Sequence, residues 1–214
     1  MKPAEPLPGA RSPLLPRHDI TGLILAGGRG SRMGGVDKGL VPLNGRPMIE
    51  HVATRLQPQV GRLLINANRN RERYAALGFP VIPDLLGGFL GPLAGMASGM
   101  QTATTPYVVT APCDSPLIGR DLVARLAAAL TSNHADIAVA HDGERPHPVF
   151  LLARRDLVSD LTEFLATGGR KIDRWFARHR IAFADFRDAP EAFINVNSAE
   201  DCAALEAQLA EIES

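Results

Sequence analysis

Ile20-Thr21-Gly22-Leu23-Ile24-Leu25-Ala26-Gly27-Gly28-Arg29-Gly30-Ser31-Arg32-Met33-Gly34-Gly35-Val36-Asp37-Lys38 is the stretch on which the reading of this chain turns. An apolar run of strand length passes directly into a glycine-rich loop. Gly27, Gly28, Gly30, Gly34 and Gly35 let the backbone turn through positive φ and approach a ligand closely, while Arg29, Arg32 and Lys38 offer charge to phosphate oxygens. This is the outline of a triphosphate cradle at the end of a buried strand; a flexible turn is the plainer alternative. Two familiar phosphate motifs are excluded by spacing. No glycine is followed five residues later by Gly-Lys-Ser/Thr, and no G-x-G-x-x-G threads through Gly28 and Gly30.

Outward from that stretch, the 214 residues, 45% hydrophobic and 21% charged, suit one α/β domain able to bury a full core. Residues 1–18, with prolines at 3, 6, 8, 13 and 16, are expected to be a disordered extension ahead of a single domain over 19–214. Those prolines also break the apolar run a signal peptide needs, and no segment reaches the roughly 18 apolar residues of a membrane span. Twenty-three basic residues balance 23 acidic ones, which argues against a nucleic-acid or membrane binder. Cys113 and Cys202 lack the spacing of a zinc site or redox pair, and the expected location is the reducing cytoplasm.

Short β-rich runs alternate with helical patterns, as in a doubly wound three-layer fold with a mostly parallel sheet. Leu63-Leu64-Ile65, Val81-Ile82 and Tyr107-Val108-Val109 read as buried strands, and 136–140 and 149–152 as strands around a polar loop. Pro47 can occupy the first turn of a helix facing inward through Met48, Val52 and Leu56; Leu122, Val123, Leu126 and Leu130 mark another. Helices are expected near 156–167 and 170–179, where Trp175 and Phe176 read as packing residues. A last helix is expected to be capped by Ser198, with Leu205, Leu209 and Ile212 along its apolar stripe.

Ligands of open α/β sheets sit beyond the carboxyl ends of the strands. Polar residues follow four predicted strands in register: the glycine loop, Asn66-Ala67-Asn68, Pro83-Asp84 and Pro112-Cys113-Asp114-Ser115-Pro116. Each alone could be a turn satisfying its own backbone. Asp114, held between prolines, could reach a hard cation shared with phosphate oxygens, as Mg²⁺ prefers; helix capping is the other use, although Gly119-Arg120-Asp121 lies nearer the next helix. Cys113 has no activating histidine beside it, and His147, between two prolines, is left without an assigned role.

The pattern L-A-G-G-x-x-x-R-M-G-G-x-D-K resembles nucleotidyltransferases that activate a phosphorylated acceptor with a nucleoside triphosphate, most closely the molybdenum cofactor guanylyltransferases (MobA). Gly91-Pro92-Leu93-Ala94-Gly95-Met96, His141-Asp142-Gly143-Glu144-Arg145 and Asn195-Val196-Asn197 are similar to that family too. The resemblance implies a Rossmann-like nucleotidyltransferase fold. It also implies transfer of GMP from GTP to the terminal phosphate of molybdopterin; for that reaction Mg²⁺ on Asp114, with Arg32, Lys38 and Asp114 as catalytic groups, is expected to neutralise the triphosphate. Nucleotide contacts fall by resemblance on Leu25, Ala26, Gly27, Gly28, Lys38, Asn66, Asp84 and Asp114. Pterin contacts fall on Gly95, Arg145, Asn195 and Asn197. Asn195 and Asn197 would point the same way in an extended segment, unless Asn197 only initiates the last helix. Ala26-Gly27-Gly28, where cytidylyl relatives typically carry Ala-Ala-Gly, favours GTP. A cytidylyl or sugar-phosphate transferase, or a non-catalytic molybdopterin carrier, are the alternatives. Proteins that supply molybdopterin or receive the finished cofactor are partners the pathway implies.

Overall fold

The computed structural model of the chain describes residues 15–27, 37–85 and 91–212. In chain order its first half runs β1 (Ile20–Leu25), a small hairpin of β2 (Pro42–Leu43) and β3 (Arg46–Pro47), α1 (Met48–Leu56), β4 (Arg62–Asn66), α2 (Arg71–Ala75) and β5 (Val81–Ile82). The second half runs α3 (Pro92–Thr102), β6 (Tyr107–Pro112), α4 (Leu122–Ser132), β7 (Ile137–His141), β8 (Pro146–Arg154), α5 (Val158–Ala166), α6 (Ile172–Phe176), β9 (Ile181–Asp185) and α7 (Ala199–Ile212).

All six residues of β1 are buried, because it lies inside a seven-stranded sheet ordered β5-β4-β1-β6-β8-β7-β9. It pairs in parallel with β4 and β6, and only β8 runs against its neighbours. Alternation along β1 sends Ile20 and Ile24 into one apolar layer and Leu23 and Leu25 into the other. The first layer is covered by α1, α4 and Tyr74 of α2, the second by α3, α5 and Trp175 of α6. This is the doubly wound three-layer, mostly parallel fold expected from the sequence. The inward face Met48, Val52 and Leu56 is buried, as are Leu122, Val123, Leu126 and Leu130. Close contact of α3 on the sheet, and of β1 on its neighbour β4, depends on glycine. A Cβ on Gly99 of α3 would stand 2.3 Å from Leu23 Cδ2, and one on Gly22 would stand 2.7 Å from Leu63 Cδ1.

Several elements differ from expectation. Residues 15–18 pack onto the fold instead of leading up to it: Leu15 lies against the core and Arg17–Asp19 forms a 3-10 turn. The rest of the expected extension lies outside the described residues. Pro47 precedes the first helical residue of α1. The strand expected over 149–152 extends to Pro146–Arg154, the helix expected over 156–167 opens with a 3-10 turn, and the helix expected over 170–179 is only Ile172–Phe176. Strand β9 was not expected. It buries the small residues Ala182 and Ala184 while leaving Phe183 58% exposed, the reverse of the usual apolar alternation.

Candidate active site

The parallel strands release their chains at one edge of the sheet, and main-chain bonds lace those exits together. Ala26 N–H donates to the carbonyl of Asn66 (2.8 Å), and Cys113 N–H donates to that of Leu25 (3.1 Å). Leu25 and Ala26 are buried, and Gly27 is exposed. Gly28 and Arg32 lie outside the described residues.

The chain re-enters at Asp37, and Lys38 opens a 3-10 turn. The Lys38 ammonium donates to Asp114 Oδ2 at 3.2 Å and to Asn197 Oδ1 at 2.5 Å. Residues 76 and 159 positions away thus converge on one cation. Both side chains of the Lys38–Asp114 pair keep some exposure, 25% and 16%, so the pair remains open to a ligand.

Beside this cluster Asn66, 2% exposed, donates its amide to Asp84 Oδ1 (2.9 Å) and to the carbonyl of Ile82 (3.3 Å). Asn68 donates to Asp84 Oδ2 (2.8 Å) and accepts from Asp84 N–H (2.8 Å), so two amides hold the carboxylate. Gly95, which the resemblance places on the pterin side, lies under Asn66: a Cβ there would be 2.3 Å from Asn66 Oδ1.

Residues 195–197 form a strap over the Asp114 turn. Ser115 Oγ donates to Asn195 Oδ1 (2.5 Å), and Val196 N–H donates to the Asp114 carbonyl (2.8 Å). Helix initiation falls to Ser198, as expected. Asp201 N–H donates to Ser198 Oγ (3.0 Å), while Asp201 Oδ2 accepts the N–H of Asn197 (2.8 Å) and of Ser198 (3.0 Å), a reciprocal cap. The Asn197 side chain is turned to Lys38.

Arg145 is exposed at the β7–β8 turn, three strands along the same edge from β1. The N–H groups of Glu144 and Arg145 donate to Asp142 Oδ1 (2.8 Å each), and Asp142 Oδ2 pairs with His147 Nε2 at 2.6 Å. The Arg145 N–H foremost, then the imidazole, hold the Asp142 carboxyl far below the ordinary carboxylate range. His147 also stacks on Phe193 with centroids 4.3 Å apart, which fastens the hairpin to the turn leading into the strap.

Cys113 is buried, and burial foremost pushes its thiol well above the ordinary cysteine value, so it is a poor nucleophile. Trp175 is fully buried and donates its indole N–H to Asp160 at 2.9 Å, a packing role as expected. Among the described residues no group of three or more His, Cys, Asp or Glu could hold a metal alone. Asp114 is a single accessible carboxylate beside a cation, and that donor set fits Mg²⁺, which takes one or two carboxylates and completes its shell with phosphate and water. Sequence reading overlooked the buried pair Asp37 and Tyr74. Their only sequence signal is the position of Asp37 directly before Lys38 and the presence of one aromatic in the polar stretch Arg71-Glu72-Arg73-Tyr74.

A doubly wound sheet with a lysine, a carboxylate and paired amides past its strand ends is the setting in which open α/β folds bind their ligands. Residues 22–182 match the family model of the MobA-like NTP transferase domain, and the chain belongs to that family. It is 54% identical over 190 residues to a molybdenum cofactor guanylyltransferase from Shewanella sp. (strain MR-4), covering 89% of this chain and 96% of that one. It is 52% identical over 193 residues to the protein of the same name from Cupriavidus necator, with coverage of 88% and 96%. A solved structure of molybdopterin-guanine dinucleotide biosynthesis protein A from Archaeoglobus fulgidus superposes with a TM-score of 0.72 at 20% identity, over 89% of this chain and 99% of that one, a likeness of fold.

Proposed function

We infer that this protein is a molybdenum cofactor guanylyltransferase: it transfers GMP from GTP to the terminal phosphate of molybdopterin and releases pyrophosphate. The observation that carries this reading is identity above one half across nearly the full length of relatives with that name. The convergence of Lys38, Asp114 and Asn197 supports it, since a cation and a carboxylate meet beyond the ends of parallel strands, the usual place for ligands of open α/β sheets.

An oxygen of the acceptor phosphate attacks the α-phosphorus of GTP, the bond from that phosphorus to the β-phosphate oxygen breaks, and pyrophosphate leaves. The acceptor needs no strong base. A phosphate monoester has a second pKa of about 6 and is largely a dianion at neutral pH. The obstacle is repulsion between two anions that must be brought in line. Lys38 and Arg32 counter it by neutralising the triphosphate and the charge gathering on the leaving group. Leu25, Ala26, Gly27 and Gly28 bring main chain close to the nucleotide, and the Asn66–Asp84 pair presents fixed polar groups to it. Mg²⁺, held by Asp114, would add charge neutralisation on the phosphates. Arg145, Asn195 and Asn197 face the acceptor, whereas Gly95 acts through the close seat it gives Asn66.

No helix among the described residues is long and apolar enough to cross a membrane. We place the reaction in the cytoplasm, in keeping with two free thiols. The transient partners are proteins that supply molybdopterin and receive the dinucleotide cofactor.

Purified protein with Mg²⁺, molybdopterin and each nucleoside triphosphate in turn tests the reading. Pyrophosphate release should require both GTP and the pterin. Release with CTP instead would make it a cytidylyl enzyme, and binding without release would make it a carrier.

A further inference from the structure

Asp37, the residue directly before Lys38, is a fixed point outside the residues assigned above. Asp37, only 9% exposed, accepts a hydrogen bond on Oδ1 from the hydroxyl of Tyr74 and one on Oδ2 from the Asn70 amide at 3.2 Å. Tyr74 is completely buried in α2, 37 residues away. Its hydroxyl also bears on the other neighbour of Lys38, since a Cβ on Gly39 would stand 2.7 Å from it. Asn70 reaches Asp37 from a left-handed backbone with φ of +48°, an uncommon conformation for a residue other than glycine. The 3-10 turn of Lys38 is built on Asp37 as well, whose carbonyl accepts from Leu40 N–H at 3.0 Å. Lys38 is therefore bracketed on both sides by one phenol.

We propose that Tyr74 is a positioning residue of the transfer reaction: through Asp37 and Gly39 it sets where Lys38 leaves the main chain, and so aims the ammonium at Asp114 and the triphosphate. The proposal rests on the nucleotide-binding reading above. A lysine ammonium can be aimed only as well as its Cα is held, so Lys38 needs an anchor. A buried carboxylate bound by a phenol and an amide is a stiff one, because either group left unpaired would carry its full desolvation cost. Tyr74 touches no substrate in this account; it acts through Lys38.

A double-mutant cycle tests it. Binding of Mg-GTP is measured by calorimetry on the wild type, Tyr74→Phe, Lys38→Ala and the double variant, with pyrophosphate release followed in parallel. Tyr74→Phe should weaken GTP binding about tenfold when Lys38 is present and less than about twofold when it is replaced, since a misplaced cation loses the contact it was aimed to make. Equal weakening in both backgrounds would assign Tyr74 a merely structural role, and no weakening with Lys38 present would remove any role; either overturns the proposal. If Tyr74→Phe does not fold, Asn70→Gly repeats the cycle, removing the amide while keeping the left-handed backbone at little cost. A wild type that binds GTP but transfers nothing would defeat the parent reading and leave the cycle interpretable. A wild type that transfers GMP while the cycle is additive would defeat only this inference.

Discussion

At the scale of single residues, charge and burial make separable claims. Replacing Lys38 or Asp114 by alanine should lower guanylyl transfer at least about a hundredfold, the usual effect of losing one group that meets developing charge. Circular dichroism and melting temperature should stay near wild type, because both side chains are partly open to solvent; a variant that kept full turnover would remove that residue from the mechanism. Tyr74 makes a prediction about pH. Burial foremost raises its phenol far above the ordinary tyrosine value, and the neighbouring Cys113 and the hydrogen bond to Asp37 act in the same direction. An unfolded tyrosine releases its proton near pH 10, whereas the folded one keeps it, so stability present below about pH 10 is lost as pH rises beyond it. In Tyr107→Phe, where Tyr74 is the single remaining tyrosine, phenolate absorbance should appear only together with loss of the fold. Phenolate near pH 10 in a folded protein would contradict the buried pairing.

At the scale of elements, the sequence was most legible where apolar period and burial agree. Strand β1 and helices α1 and α4 carry large apolar residues on the faces they bury, and they were read correctly. Strand β9 was missed because alanines fill the crowded inner positions and phenylalanine sits outside, so its pattern runs opposite to its burial. The helix around Trp175 came out short for a related reason: one tryptophan satisfies the inward face, and the chain then turns toward β9. Contact between α3 and β4 can be tested through Gly95→Ala. The added methyl must displace Asn66 Oδ1 from 2.3 Å, where the amide is already committed to Asp84 and Ile82. We expect a loss of about 1–3 kcal/mol in denaturant unfolding together with a raised KM for GTP. Unchanged stability would mean that α3 can slide. Ser198→Ala should cost about 1 kcal/mol by removing the cap of α7.

At the scale of the whole molecule, the site depends on a third, small apolar cluster apart from the two main layers. Leu43 and Met48 from the region of the β2–β3 hairpin meet Val196, Cys202 and Leu205. Asn44 N–H also donates to Glu206 at 2.6 Å, and the Cys202 thiol to the Pro42 carbonyl at 3.3 Å. This cluster docks α7 against the segment just after Lys38, and so brings Asn197 to the lysine from near the other end of the chain. Leu205→Ala should destabilise the protein by about 2–5 kcal/mol. It should also raise KM for molybdopterin more than for GTP, since we assign Asn195 and Asn197 of the strap to the pterin; equal effects on both substrates would separate the cluster from the acceptor side.

Alternation of strands and helices, the glycine loop and the polar residues after four strands could be read without coordinates, because periodicity and turn chemistry are local and each residue reports on its own neighbours. Those features determined the three-layer fold, the edge to which we assign the ligands and the residues to look for there. What lay beyond them was decided by contacts between distant segments: the two amides on Asp84, the seat of Gly95 under Asn66, the Lys38–Asn197 contact and the Tyr74–Asp37 anchor. A hydrogen bond between residues dozens of positions apart leaves no period in a sequence, since only the packing of the layers brings its donor to its acceptor.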